Sequence, residues 1–205
     1  MMDYSKLSPN LQTIAAFVPK GASVLDIGCA KGNLLLWLKE NKLVAGRGIE
    51  ISNEKVQATI SMGLSVIQGN AEEDIAHYPD NSYDYIILNG ILQQMQNPVA
   101  MMQHATRVAK YIIISVPNFG HIRNRWYLAW HGKMPVTKQL NYEWFETPNI
   151  HFCTLRDFDN FLDMLGLRIA KQIILSSPNT PQSLMRFSSI ATLLGEKGVF
   201  LLEKR

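Results

Sequence analysis

The chain has 205 residues, of which 47% are hydrophobic, and a formal net charge of +3. A chain of this size buries roughly 70% of the surface that it exposes when unfolded, which is enough for one independent core. The small net charge does not call for a polyanionic partner, and no uncharged apolar run reaches the ~18 residues that span a bilayer. We therefore expect a soluble, cytoplasmic protein with a single domain over residues 1–205.

Helical and extended patterns alternate along the first 116 residues. A helix over 11–18 precedes the first strand, and helices at 33–42, 53–62 and 97–108 separate later ones. Long connections between successive strands require a parallel sheet that is covered by helices on both faces. This is the doubly wound α/β class, which is Rossmann-like in its connections. The strands are predicted at 23–27, 47–51, 64–68, 83–88 and 111–116.

The remaining chain completes the sheet after an insertion. Residues 119–150 are polar and aromatic and carry no strand pattern, so we interpret them as a helical or loop insertion after the fifth strand. A helix at 155–165 and strands at 169–175 and 198–203 follow. The sequence thus predicts a mostly parallel, seven-stranded sheet.

A glycine-containing loop follows the first strand, in the segment Val24-Leu25-Asp26-Ile27-Gly28-Cys29-Ala30-Lys31-Gly32. Gly28 allows a tight turn, and Gly32 allows the next helix to pack closely, with its N-terminal N–H groups towards a ligand. Glu50 ends the second strand, where a carboxylate can accept hydrogen bonds from two ribose hydroxyls. The combination predicts an adenosyl ligand.

The spacing of the glycines in the loop indicates which adenosyl ligand it binds. A dinucleotide motif, G-x-G-x-x-G, would need glycines where Ala30 and Asn33 stand, so NAD is disfavoured. Asp26 can bind the ammonium group of S-adenosylmethionine, and Asn70 can form hydrogen bonds with adenine. Asn89 can lie beneath the methionyl group of the cofactor. Two alternative interpretations remain, namely a nucleotide site and a loop that binds no ligand. The predicted residues for S-adenosylmethionine or S-adenosylhomocysteine are Asp26, Gly28, Cys29, Ala30, Gly32, Glu50, Ile51, Gly69, Asn70, Ala71 and Asn89.

The second half of the chain contains distinctive short motifs: Val116-Pro117-Asn118-Phe119-Gly120-His121, Gly132-Lys133-Met134-Pro135-Val136-Thr137, Tyr142-Glu143-Trp144 and Thr147-Pro148-Asn149-Ile150-His151. With the glycine loop, they make the chain similar to the MetW family of methionine-biosynthesis proteins, within the class I S-adenosylmethionine-dependent methyltransferases. The similarity extends over roughly residues 8 to 175. The family usually has Gly-Asp where Ala30-Lys31 stands, and an aspartate in place of Asn70.

The resemblance implies a partner. MetW proteins are thought to associate with homoserine O-acyltransferase, a MetX-type enzyme, and to support its activity, whereas methyl transfer by MetW itself is not established. We expect the 119–150 insertion to dock the acyltransferase, with S-adenosylmethionine as a feedback signal. The alternative is an active methyltransferase that acts on a small molecule or RNA.

The insertion region offers a second interpretation of its surface. From Lys110 to Tyr142 there are five Lys or Arg residues and no acid, with Trp126, Tyr127 and Trp130 interleaved. Such a segment can bind RNA through phosphate contacts and stacking. The same residue types are enriched at protein interfaces, so we favour a protein-docking segment over nucleic acid. Self-association of the chain stays open.

Candidates for a catalytic base are few. His121, Tyr142 and His151 lie in or next to the insertion, although histidines in polar segments more often make structural hydrogen bonds. His151 and Cys153 supply too few ligands for a metal, and the two cysteines match no disulfide or zinc spacing. Neither a G-x-S-x-G elbow nor a Walker loop is present, which argues against serine hydrolase and phosphoryl-transfer chemistry.

Overall fold

The computed structural model describes residues 7–137, 142–176, 180–182 and 189–205. Eight strands in this part of the chain form one sheet. They are β1 (Ser23–Ile27), β2 (Ala45–Glu50), β3 (Ser65–Gln68), β4 (Tyr83–Asn89), β5 (Ala109–Pro117), β6 (Leu167–Ser176), β7 (Thr180–Gln182) and β8 (Lys197–Lys204).

The strands are ordered β3-β2-β1-β4-β5-β8-β6-β7 across the sheet. The first five in sequence pair in parallel, whereas β8 runs antiparallel between β5 and β6. The predicted doubly wound, mostly parallel architecture is confirmed, and the three-residue β7 adds an eighth strand at one edge. Strand order reverses between β1 and β4, the position where such sheets bind ligands.

The helices begin where side chains can satisfy their free N–H groups. Ser8 accepts a hydrogen bond from the Leu11 N–H, Asn97 accepts one from the Ala100 N–H, and Thr154 forms a capping box with Asp157. The helices are α1 (Pro9–Phe17), α2 (Asn33–Lys42), α3 (Asn53–Ser61), α4 (Ala71–Asp74), α5 (Pro98–Val108), α6 (Ile122–His131), α7 (Leu155–Met164) and α8 (Ser189–Leu194). None of the helices in the described ranges is long and apolar enough to cross a bilayer.

Two apolar layers cover the sheet. Alternate residues of a strand face opposite sides, so Ile86 packs in the layer that includes α5 and α7, and Ile87 packs in the layer that includes α1 and α2. Both residues are fully buried. Helices cover both faces of the sheet and leave the ends of the strands uncovered. The carboxyl ends of β1, β2, β3 and β4 open towards solvent at the switch point.

The predicted insertion contains regular structure. Residues 122–131 form α6, while 138–141 lie outside the described residues. In α6 only Asn124 is buried. This helix therefore projects most of its side chains away from the core.

Candidate functional site

A cleft of about 530 Å³ lies at the carboxyl ends of β1, β2, β3 and β4, and we call it the switch-point cleft. Its volume is within the roughly 300–1,000 Å³ of small-molecule sites. Eight of the eleven predicted cofactor residues line it. The lining residues are Gly28, Ala30, Ile49, Glu50, Ile51, Lys55, Gly69, Asn70, Ala71, Glu72, Asn89, Gly90, Ile91, Gln94, Met95, Gln96 and Ile150.

The glycine loop is fixed by its backbone. The N–H groups of Gly28 and Cys29 donate to the Ile49 carbonyl at 2.8 and 3.2 Å, so the loop stays attached to the end of β2. Gly28 has a φ of +69°, and a Cβ there would lie 3.0 Å from Ile91 Cγ2. A side chain at this position would be strained and crowded, which accounts for the glycine.

Glu50 is the charged centre of the cleft. Its carboxylate is buried, with a side-chain exposure of 6%. One oxygen accepts a hydrogen bond from the Ala30 N–H and the other accepts one from the Ser52 N–H, each at 3.0 Å. The Lys55 ammonium lies 3.8 Å away. These contacts hold the carboxylate in a fixed orientation at the rim of the loop.

Three predicted cofactor residues lie behind the cleft rather than on its wall. Asp26 is buried, and burial together with the Glu50 carboxylate raises the pKa of its carboxyl group to about 7. Cys29 Sγ packs against Gly48, where a Cβ would lie 2.4 Å from the sulfur, and burial raises the pKa of the thiol to about 12. Gly32 packs under Leu64. These residues support the loop from below.

Asn70 lies on the cleft wall, but its side chain is engaged within its own turn. It caps α4 by accepting a hydrogen bond from the Glu72 N–H at 3.2 Å, and its amide nitrogen donates to Glu73 Oε1 at 2.7 Å. Pairing with adenine would use the second N–H and the second lone pair of the amide, or would exchange these local bonds. A Cβ at the adjacent Gly69 would lie 1.9 Å from Asp74 Oδ2, so a side chain there would displace the Asp74 carboxylate.

Asn89 forms the floor at the end of β4. Its Oδ1 accepts hydrogen bonds from Asn10 Nδ2 at 2.6 Å and from Ser115 Oγ at 2.8 Å. This network joins α1 to two central strands. A second cavity of about 710 Å³, the adjoining cavity, lies next to the switch-point cleft, and Lys55, Asn89, Gly90 and Gln94 line both.

The three candidate bases occupy different places. His121 is buried and caps α6, because its Nδ1 accepts a hydrogen bond from the Arg123 N–H at 3.1 Å; burial lowers its pKa. Tyr142 lines the adjoining cavity. His151 lines a separate apolar pocket with Cys153 and Phe158. The structure does not bring these three side chains together, and in the described residues no cluster of three His, Cys, Asp or Glu could hold a metal ion.

The loop after β4 supplies cleft residues that sequence reasoning did not assign. Ile91, Gln94, Met95 and Gln96 close one side of the switch-point cleft. No motif identifies them, and Met95 follows the apolar pattern of a core residue. The only signal for them is their position after the strand at the switch point.

The insertion exposes aromatic side chains. Trp126 and Trp130, 65% and 75% exposed, stack with their ring centroids 5.6 Å apart. Trp144 and Phe145 are also exposed and form an edge-to-face pair. We call these four residues the aromatic face.

Comparison with known proteins identifies the family. The sequence profile of the family described as "Methionine biosynthesis protein MetW" matches residues 8–202. The chain belongs to the MetW family. It is 31% identical over 176 residues to the "Bifunctional methionine biosynthesis protein MetXA/MetW" of Rhodopirellula baltica, a match that covers 82% of this chain and 28% of that protein. This MetW-family chain thus spans little more than a quarter of that relative.

Solved structures share the fold of this MetW-family chain. An S-adenosylmethionine-dependent methyltransferase from Thermotoga maritima matches with a TM-score of 0.69 and 17% identity, covering 96% of this chain and 88% of its own. One from Archaeoglobus fulgidus matches with a TM-score of 0.69 and 14% identity, covering 98% and 95%. These likenesses confirm the predicted class I methyltransferase fold.

Proposed function

We propose that this chain binds S-adenosylmethionine or S-adenosylhomocysteine in the switch-point cleft and, in response, regulates a homoserine O-acyltransferase. The observation that carries the cofactor part is the buried Glu50 carboxylate at the end of β2, held in place by the glycine loop. A carboxylate so placed can accept hydrogen bonds from both ribose hydroxyls. The cofactor-dependent fold of the structural relatives supports the same ligand.

The Glu50→Gln variant tests the cofactor site. An amide loses the negative charge, and its NH₂ group would face the N–H of Ala30 or of Ser52, so donors oppose donors. Calorimetric titration with S-adenosylmethionine should show affinity reduced about tenfold or more. The matched control is Glu54→Gln, an exposed carboxylate on the first turn of α3, which should bind as the parent does. Equal affinity of the Glu50 variant and the parent would remove Glu50 from the site.

The partner is proposed from two observations. The relative from Rhodopirellula baltica carries MetXA and MetW in the name of one bifunctional chain, which would hold two such units at high effective concentration. In this chain, the aromatic face offers exposed Trp side chains of the kind that dominate protein interfaces. The docking surface would be the insertion, residues 119–150.

Co-purification with the acyltransferase tests the partnership. We expect a complex on size-exclusion chromatography, a higher acyltransferase rate in the complex than alone, and a change in that rate when S-adenosylmethionine is added. Absence of a complex would refute the partnership. A complex whose rate is indifferent to the cofactor would refute the regulatory part while leaving association in place.

Methyl transfer is the second candidate function, and the adjoining cavity favours it. This cavity meets the switch-point cleft at Lys55, Asn89, Gly90 and Gln94, where an acceptor could approach a bound methyl donor. Incubation of the chain alone with labelled S-adenosylmethionine and fractionated small molecules or RNA would reveal transfer. Labelled product without the acyltransferase would establish this candidate, and RNA retention that weakens steeply with salt would identify a nucleic-acid acceptor.

A further inference from the structure

Residues 142–151, which we call the strap, contribute to the walls of three neighbouring cavities. Tyr142 and Asn149 line the adjoining cavity, and Ile150 lines the switch-point cleft. The next residue, His151, lines the apolar pocket against α7. The strap therefore lies beside the proposed cofactor site, although it belongs to the end of the insertion and not to a strand of the sheet.

The strap is attached at its C-terminal end through one acceptor. The N–H groups of Ile150 and His151 both donate to the Gln93 carbonyl, at 2.9 and 3.0 Å. No other backbone hydrogen bond joins the strap to the remainder of the described chain. A segment held by so few backbone bonds opens locally at a small cost in free energy.

The acceptor of these two bonds belongs to the wall of the switch-point cleft. Gln93 lies in the single helical turn Leu92–Gln94 that follows β4. Ile91 and Gln94, on either side of this turn, line the cleft. The Gln93 side chain donates from Nε2 to the carbonyl of Gly90, another wall residue, at 2.7 Å. The Gln93 carbonyl thus links the strap directly to the loop that closes one side of the cleft.

Ile150 exposes apolar surface on the cleft wall. Its side chain is 57% exposed, and Ile51, at the end of β2, is 70% exposed in the same cleft. A ligand that fills the cleft would remove apolar surface of Ile150 from water, and burial of such surface stabilises the bound state. The strap would then gain a contact with the ligand in addition to its two hydrogen bonds.

The strap also carries half of the aromatic face. Trp144 and Phe145, which are 70% and 65% exposed, precede Ile150 by no more than six residues. Their rings form an edge-to-face pair with centroids 5.6 Å apart. Aromatic side chains on a segment that is already fixed lose less conformational freedom when a partner binds them.

We propose that a ligand in the switch-point cleft holds the strap against the cleft through Ile150 and thereby fixes Trp144 and Phe145 for docking. This inference rests on the proposed function, because it requires the cleft to bind S-adenosylmethionine or S-adenosylhomocysteine. It assigns the route from the cofactor to the docking surface, and it makes Ile150 a ligand-contacting residue supplied by the insertion.

Hydrogen–deuterium exchange of the full chain, with and without saturating S-adenosylmethionine, tests the strap. We expect its amides to exchange about tenfold or more slowly with the ligand, because a ligand that favours the closed strap suppresses local opening. In Ile150→Ala most of this slowing should be lost, and the affinity for S-adenosylmethionine should fall about threefold or more. The matched control is Ile60→Ala, at a 54% exposed position of α3 outside the cleft, which should match the parent in both measurements.

Calorimetric titration of the same samples separates two kinds of failure. If S-adenosylmethionine binds the parent and the exchange of the strap is unchanged, the strap inference is overturned and the cofactor site stands. Ile150→Ala that keeps both the parent's affinity and its slowing would overturn the role of Ile150 in the same way. If S-adenosylmethionine and S-adenosylhomocysteine both fail to bind the parent, the cofactor part of the proposed function fails, and the strap inference fails with it.

Discussion

Ala30 adopts a left-handed backbone conformation, with a φ of +51°. Side chains other than glycine rarely occupy this region, and the penalty for an L-residue is roughly 1–2 kcal/mol. The position is one at which the family usually has glycine, so the sequence departure and the backbone strain coincide. The Ala30 N–H nonetheless reaches Glu50, which shows that the methyl group leaves the loop hydrogen bond intact.

We expect Ala30→Gly to raise the free energy of unfolding by about 0.5–1 kcal/mol, because release of the strain outweighs the added freedom of the unfolded chain. The control Ala16→Gly, at an exposed position in α1, should lower it by about 0.5–1 kcal/mol. Denaturant unfolding of both variants measures the two effects. Changes of the same sign would contradict a strained loop.

Asp26 makes stability depend on pH in an unusual direction for a carboxylate. Its pKa is raised from 3.8 to about 7 by burial and by Glu50. As the pH rises, the Asp26 carboxyl group loses its proton at a lower pH in the unfolded chain than in the folded chain. Its contribution to the free energy of unfolding is therefore full below pH 4 and falls between pH 4 and 7. The loss is on the order of 4 kcal/mol.

Asp26→Asn should remove this dependence. The free energy of unfolding of the parent, measured by urea titration from pH 4.5 to 7.5, should fall relative to that of the variant as the pH rises. The control is Asp80→Asn, at an exposed carboxylate. The free energy of unfolding of this variant should depend on pH as that of the parent does. Parallel profiles for the parent and the Asp26 variant would mean that Asp26 titrates normally.

At the scale of elements, the buried strands and their helices were the predictable part. Ser23–Ile27 and Asn33–Lys42 have the predicted bounds, and the other predicted strands and helices agree within two residues. The segment that contains α6 was predicted only as a helical or loop insertion, without bounds for a helix, and only Asn124 of the ten residues of α6 is buried. Without a face packed on the core, its apolar residues follow no helical stripe that sequence patterning could detect.

The aromatic face should contribute to association rather than to stability. Replacement of both Trp126 and Trp130 by alanine should change the free energy of unfolding by less than about 0.5 kcal/mol, since both side chains are exposed. In the proposed complex, the same change should cost about 2 kcal/mol or more, which is a loss of roughly thirtyfold in affinity. Size-exclusion and calorimetric titration with the acyltransferase measure the affinity.

Met164→Ala is the control for that experiment. Met164 is 63% exposed on α7, outside the insertion, and its truncation should leave the affinity unchanged. If the double tryptophan variant bound the acyltransferase as tightly as the parent does, the insertion would not be the docking surface.

At the scale of the whole molecule, the sequence predicted the class of the sheet but not all of the residues that line the switch-point cleft. Gly28, Glu50 and Asn89 were identifiable because each lies at the carboxyl end of a strand, and parallel strands bring their carboxyl ends together. Residues 91–96 could not be assigned to the cleft, since a loop gives no periodic signal of where it folds back.

Phe200 tests the central role of β8. It is fully buried, and its ring centroid lies 5.0 Å from that of Phe158 on α7. Phe200→Ala should lower the free energy of unfolding by about 3–5 kcal/mol. The matched variant Phe145→Ala, at a 65% exposed position, should have little effect. A smaller decrease in the free energy of unfolding for Phe200→Ala would mean that the sheet tolerates disruption at β8.

The antiparallel strand between β5 and β6 also has a consequence for synthesis of the chain on the ribosome. β8 is translated after the other seven strands described in this sheet, yet it separates two of them. Until residues 197–204 emerge, β5 and β6 each present a row of unpaired N–H and C=O groups next to apolar side chains. The nascent chain is therefore most exposed to aggregation after β6 has been made and before β8 is available to pair, and chaperone protection counts most in that interval.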